Sequence, residues 1–402
     1  MSHPSAVPVH MRRVGFDLDP GLAELRQQAP LCRIALPNGV KVWLVTTHDL
    51  IRDVLGDPET FGSNGAGWSD PANGGQMPPA RPTGSLELHG DITVYDPPAH
   101  ARLRRILAPA FGVGRMKMLR PLVARVIDDC LDGMARASAP VDFVQQFALP
   151  VPSLVICELL GVPYVQRAEF QRRSRDRFDN TLPPSVRAAA VQESRQFMEQ
   201  LVADARIAPR DGMIGDLVRE FGGEITDAEL VGAADILLLG GYETTAHMLG
   251  LGTLLLLGAP TLWQTLNDTT NIDGIVEELL RYLSVVQTGT PRVAHRDVVL
   301  AGQQLRAGER LLCSLPSGNR DLAALGEGLD SFDPARGNRA HLAFGFGIHY
   351  CLGASLARME MRLAFPALAR RYPSLRLAAP VREEHFRHHS AVFGLDTLLV
   401  EW

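Results

Sequence analysis

The chain has 402 residues, 46% hydrophobic and 21% charged, the balance of a globular protein with a large buried core. Its net charge of −5 excludes a nucleic-acid binder that relies on a broad basic surface. Lys41 and Lys117 are the only lysines, so any cationic patch must be built from arginine. The five cysteines, Cys32, Cys130, Cys157, Cys313 and Cys351, are scattered and lack paired metal spacing, which fits a reducing cytosol better than a disulfide framework. The first 19 residues hold Pro4 and Pro8 and no apolar core of a signal peptide. The sequence therefore points to the cytoplasm, with no membrane and no nucleic acid among its partners.

Helical periodicity dominates in chain order. It predicts helices over 21–28, 48–55, 99–110, 119–134, 163–179, 185–208, 227–257, 275–282 and 354–372. Strand signals are short and peripheral. Two runs, 32–36 and 40–45, flank the turn Pro37-Asn38-Gly39. Further strand fragments are expected at 298–300 and 311–315, and a terminal hairpin over 391–402. Residues 62–90 are rich in Gly and Pro and read as a long loop. The run from Thr244 to Ala259 is apolar enough to suggest a membrane span, but acids just upstream, Pro260 after it and several internal glycines favour a central buried helix. No linker divides the chain, so the expectation is a single domain over 1–402, mainly α, with a small β-rich region at one side.

The most informative segment is Phe344-Gly345-Phe346-Gly347-Ile348-His349-Tyr350-Cys351-Leu352-Gly353-Ala354. A cysteine at the mouth of a helix has its thiolate favoured by the helix dipole and by free backbone N–H groups. Gly345, Gly347 and Gly353 permit a tight turn and the close approach of a flat partner. One soft anionic ligand over such a turn suits a haem iron. A second constellation is Gly240-Gly241-Tyr242-Glu243-Thr244-Thr245, inside the long apolar helix. Its glycines would let a flat ligand or O₂ lie against the backbone, and a hydroxyl beside a carboxylate can hold water and pass protons. Glu278 and Arg281 share one helix face. Glu383 to His389 crowds acids and histidines together, but without metal-ligand spacing it reads as a solvated loop.

These segments together resemble the cytochrome P-450 superfamily. The Cys351 loop is similar to its haem-binding loop, Gly240 to Thr245 to its oxygen-activating helix, and Glu278-x-x-Arg281 to its Glu-x-x-Arg motif, with Arg336 as the partnering arginine. The resemblance implies a haem-thiolate monooxygenase that binds haem b, with Cys351 as the iron ligand. It implies that His100, Arg104, Arg292 and His349 hold the propionates, and that Thr244 and Glu243 guide protons. Phe344, Gly345, Gly353, Gly240 and Gly241 would pack against the cofactor. It further implies electrons from a separate ferredoxin and ferredoxin reductase, O₂ as co-substrate, and a hydrophobic small molecule as substrate, oxidised in secondary-metabolite biosynthesis. Arg102, Arg105 and Arg358 are candidates for a docking face toward an acidic ferredoxin. The alternative from another class is a haem-binding sensor or carrier without turnover.

Overall fold

The computed structural model describes residues 7–36, 39–64, 89–162, 167–336 and 340–402. Most of the 62–90 loop, and Pro37-Asn38 of the predicted turn, lie outside the described residues. In chain order the helices are α1 (Pro20–Gln28), α2 (His48–Gly56), α3 (Ala99–Leu107), α4 (Val113–Arg136), α5 (Pro150–Leu160), α6 (Arg167–Phe178) and α7 (Pro184–Ile207). They continue with α8 (Met213–Phe221), α9 (Asp227–Leu257), α10 (Pro260–Thr265), α11 (Ile272–Leu283), the short α12 (Leu315–Gly318) and α13 (Leu322–Leu325), and α14 (Ala354–Arg371).

Helix α9 is the axis of the fold. It starts at a capping box: Thr226 caps the Glu229 N–H, and the Glu229 carboxylate reaches back to the Thr226 N–H. Beyond that first turn it is mostly apolar, with Asp235, Glu243 and His247 as buried polar exceptions, and α5, α6, α7, α11 and α14 pack around it. The run from Thr244 to Ala259 is therefore core. No helix among the described residues is long and apolar enough to cross a membrane.

Five helices are absent from the periodicity reading: α5, α8 and the short α10, α12 and α13. Helix α5 reads Pro-Val-Pro-Ser-Leu-Val-Ile-Cys-Glu-Leu-Leu and is buried on nearly every side, so burial erases the 3.6-residue alternation that would reveal it. It stops at Gly161, whose φ of 83° is the left-handed conformation that ends helices. Helix α4 also begins six residues before the expected 119 and accommodates Pro121 within its first turns without breaking.

The β structure is a five-stranded sheet in the order Leu31–Ala35, Lys41–Val45, Arg310–Cys313, Thr290–Ala294, Phe61–Gly62. The first two strands pair antiparallel, as the turn between them implies. Two expectations are corrected. Arg310–Cys313 does not join Val298–Leu300; it enters the main sheet parallel to Lys41–Val45, while Val298–Leu300 pairs with Gln303–Leu305. Nor is 391–402 a hairpin: Leu399–Glu401 lies between Arg376–Leu377 and Val141–Asp142, and Val392 bridges to Val286. Both partners are distant in sequence, where local pattern carries no signal.

Candidate functional site

A cavity of about 530 Å³ opens between α9, α14, the Cys351 loop and the strand Thr290–Ala294. Cys351 lines this cavity and is exposed within it. Its N–H donates to the Phe344 carbonyl at 3.0 Å, which closes the loop. Gly345 and Gly347 take φ values of 72° and 73°, and a Cβ on Gly347 would stand 2.2 Å from the Leu55 carbonyl oxygen. Glycine is thus required where the loop crosses α2. Helix α14 begins directly after Gly353. Burial pushes the Cys351 thiol up, while the Gly353 and Ala354 N–H groups and the charges of Arg104 and Arg358 favour the thiolate. Phe344, Gly345 and Gly353 line the same cavity.

His100, Arg104, Arg292 and His349 gather along another part of the wall. The His100 and His349 rings are 4.3 Å apart, and His349 Nε2 lies 3.0 Å from the Ser63 hydroxyl. Burial, with Arg292 and His100 close by, pushes His349 down to about 3; burial and Arg104 lower His100. Both imidazoles are neutral at pH 7. Arg104 donates to the Tyr350 carbonyl and Arg292 to the Pro291 carbonyl, each at 2.7 Å. Arg292 is 4% exposed and has no carboxylate in salt-bridge reach among the described residues, and the buried Nε2 of His100 has no hydrogen-bond partner. A buried cation without an anion and an unsatisfied nitrogen fit a ligand that brings carboxylates. Haem, with its two propionates, fits this end as its iron fits Cys351.

The α9 wall divides the expected residues. A Cβ on Gly240 would meet open space, so this glycine leaves room above the helix. A Cβ on Gly241 would stand 2.8 Å from Ile156 Cδ1, so that glycine serves the packing of α5. Thr244 faces the cavity and its hydroxyl donates to the Gly240 carbonyl at 2.8 Å. Glu243 does not line this cavity. It is 1% exposed, on the other side of α9, with its Oε2 3.1 Å from His247 Nε2 and 3.1 Å from Arg387 Nη1. Consecutive helical residues point about 100° apart, and here the acid turns away from the cavity that the alcohol lines. Arg387 is also a correction: its segment reads as solvated, yet its side chain is 9% exposed and turned onto α9. Sequence reading missed His247 and Arg387; the spacing of Glu243 and His247 by four residues was the available signal. It also missed Glu360, a fully buried cavity-lining acid whose carboxyl burial pushes well above the usual range.

The framework beneath the loop forms as expected. Arg281 pairs with Glu278 in bidentate fashion and also donates to the carbonyls of Asn319, Leu329 and Ser331. Arg336 approaches Glu278 at 3.5 Å. The proposed docking arginines are less free than their sequence suggests. Arg358 binds Glu277 at 2.7 Å and 2.9 Å, and its side chain is only 18% exposed. Arg102 is tied to Glu229 and the Glu224 carbonyl. Arg105, 57% exposed, pairs with Glu224 at 2.5 Å. No cluster of three or more potential metal-ligating side chains occurs among the described residues, the Glu383 to His389 segment included.

The comparisons with known proteins cover the whole chain. The cytochrome P450 family profile matches residues 259–377, which contain α11, the Glu278–Arg281 pair and the Cys351 loop. Cytochrome P450 165B3 of Amycolatopsis orientalis is 38% identical over 406 residues, covering 100% of both chains. Among solved structures, OxyE, a cytochrome P450 involved in teicoplanin biosynthesis, is 39% identical, with a TM-score of 0.85 over 99% of this chain and 100% of that one. CYP105P1 in complex with filipin I is 37% identical, with a TM-score of 0.88 over 99% and 98%. Sequence and fold agree along the full length, and the cavity-lining Cys351, Arg292 and the Glu278–Arg281 pair fall inside that agreement. The chain belongs to the cytochrome P450 family and is a monooxygenase with haem b as its cofactor.

Proposed function

We propose that this enzyme carries out an oxidative tailoring step on a hydrophobic secondary metabolite of polyketide, macrolide or terpenoid character. The observation that carries this reading is a cavity shared by Cys351, Thr244 and an otherwise apolar wall. Apart from the cation end, Ile156, Ile236, Leu237, Met248, Val285 and Val286 supply most of that wall; Thr93, Thr245 and Thr290 add hydroxyls, and Glu360 adds a carboxyl whose charged form burial disfavours. Such a surface favours a neutral, largely apolar substrate. The relative solved in complex with filipin I supports this substrate class, and the relative named for teicoplanin biosynthesis supports secondary-metabolite oxidation more broadly.

Within this reading Cys351 holds the iron, and Arg104, Arg292, His100 and His349 hold the propionates. Haem, when bound, supplies the oxygen chemistry, and a thiolate ligand favours O–O cleavage. The protein supplies the rest. Thr244 presents a hydroxyl to the cavity that can hold a water and donate a hydrogen bond. Glu243, on the far side of α9, collects protons from solvent. The apolar wall excludes bulk water, which prevents loss of reactive intermediates by side reactions.

Bacterial cytochromes P450 take electrons from redox partners such as ferredoxins. A separate ferredoxin and its reductase, working in the cytoplasm on one domain spanning the chain, are the natural setting for this one. Arg105 is the best placed docking cation, being exposed and held by an exposed acid. A screen of apolar metabolites that follows the shift of the haem Soret band tests the substrate class. Micromolar shifts with neutral polycyclic or macrolide compounds are expected. Shifts confined to charged, polar compounds would overturn the reading.

A further inference from the structure

A second cavity of about 270 Å³ lies on the opposite side of α9 from the first, and its wall includes Arg175, Tyr242, Glu243, His247, Arg387 and Asp396. It is polar where the first is apolar, and its volume exceeds that of a single water several-fold. Its mouth carries the exposed carboxylate of Asp396, 3.7 Å from Arg387 Nε. Its floor is a buried cluster. His247 Nε2 stands 2.6 Å from Arg387 Nη1 and 3.1 Å from Glu243 Oε2, and His247 and Glu243 are 3% and 1% exposed. The seat of the imidazole is shaped for it: a Cβ on Gly394 would lie 2.0 Å from His247 Nδ1.

The short contact to Arg387 fixes the chemistry of His247. A guanidinium is always protonated and only donates. Nε2 must therefore accept, and the imidazole is neutral with its proton on Nδ1. The charged groups facing it divide. Glu243 from the same helix and Asp396 from the C-terminal segment favour the imidazolium, but burial and the adjacent charge of Arg387 oppose it and win. The neutral imidazole anchors Arg387 across Glu243 without repelling it. Burial disfavours the Glu243 carboxylate, but the charge of Arg387 and its hydrogen bond to Oε2 at 3.1 Å favour the ionised form.

We propose that His247 is a positioning residue for oxygen activation: it seats Arg387 so that Glu243 is held, ionised, between the solvent-side cavity and its chain neighbour Thr244. This rests on the reading of Glu243 and Thr244 as the proton-guiding pair. Without His247, Arg387 is free to swing toward Asp396, and Glu243 loses the hydrogen bond and the charge of Arg387 that set its proton affinity. The glutamate then takes up and releases protons at a different pH, although the haem cavity itself is untouched.

The test uses the haem-loaded protein, its His247→Ala and His247→Gln variants, and Glu243→Gln. In the diamagnetic ferrous carbon-monoxide complex, with ¹⁵N-labelled histidine, the signals lost in His247→Gln belong to His247. They should show a neutral Nδ1–H tautomer that does not titrate between about pH 5.5 and 8. With spinach ferredoxin and its reductase as donors, His247→Ala should slow NADPH oxidation about tenfold or more. It should also shift the pH profile and leave imidazole binding to the haem unchanged. Gln, whose amide oxygen accepts from Arg387, should restore most of the rate. An imidazolium signal, or a His247→Ala variant with the parent's rate and pH profile, overturns the positioning role. If Glu243→Gln also keeps the parent's rate, the proton role of Glu243 is what fails; if Glu243→Gln is slow and His247→Ala is not, only the role of His247 fails.

Discussion

Arg281 and Glu278 stand one helical turn apart in α11, joined by Nε–Oε2 and Nη2–Oε1 hydrogen bonds of 2.8 Å and 2.7 Å, with Arg281 completely shielded from solvent. The guanidinium spends its other N–H groups on the carbonyls of Asn319, Leu329 and Ser331, so it pins the chain leading toward the Cys351 loop. Arg281→Ala would leave the Glu278 charge buried and three carbonyls short of a donor. Breaking a buried pair in this way costs about 3–5 kcal/mol. Purified Arg281→Ala should show a sharply lower urea midpoint and substoichiometric haem. A midpoint within experimental error of the parent would show that the pair does not organise this region.

Cys351 governs the haem spectrum. The ferrous carbon-monoxide complex of the parent should show the red-shifted Soret band of thiolate ligation, and Cys351→His should lose it even where haem is retained. If the band survived, the ligand would have to be one of the other four cysteines.

Thr244 is expected to control the fate of electrons. Thr244→Ala removes a hydroxyl from the cavity and a back-bond to Gly240, which an α-helix tolerates easily. Cofactor oxidation should continue while a large fraction of the electrons appears as hydrogen peroxide. An unchanged peroxide yield would place the function in another group, with neighbouring Thr245 or Glu360 the next to test.

The two adjacent glycines should respond differently to the same methyl group. Gly241→Ala forces a Cβ to 2.8 Å from the Ile156 side chain, whereas Gly240→Ala meets nothing. Overpacking of this kind costs roughly 1–3 kcal/mol. Thermal unfolding should therefore fall for Gly241→Ala only. Gly240→Ala should keep its stability and alter the affinity of haem-binding azoles; equal effects at both positions would mean that they share one environment.

Stability should decline on acidification in two windows. Buried His10 is pushed down from 6.5 to about 4, so below pH 6.5 the unfolded chain takes up a proton that the folded one refuses, and stability falls toward pH 4. Glu277, beside His341 and Arg358, is held at about 2 against an ordinary 4.5. Its contribution is complete above pH 4.5 and disappears as pH falls from there to 2. Urea titrations of the parent and of Glu277→Gln at pH 7, 5.5 and 4 check this. The variant should be less stable at pH 7, and the gap should narrow at the lowest pH; a gap that widens on acidification would contradict the assignment.

The legible parts of this protein are those whose physics is local. The glycines flanking Cys351, the bounds of α9, and the one-turn spacing of Glu278 and Arg281 follow from backbone freedom, apolar pattern and helix geometry. His100, Arg104, Arg292 and His349 were legible only through family resemblance, since nothing nearby in sequence distinguishes them from surface bases. What the sequence by itself determined was therefore the reaction class and the elements that carry it. Tertiary structure decided which face each residue turns to. It placed Thr244 and Glu243 in different cavities, brought Arg387 from a seemingly solvated segment onto α9, tied Arg358 to Glu277, and drew Leu399–Glu401 between two distant strands. Each of these depends on contacts between residues far apart in the chain. Such contacts are fixed by the shape of the packed core, and no local pattern encodes them.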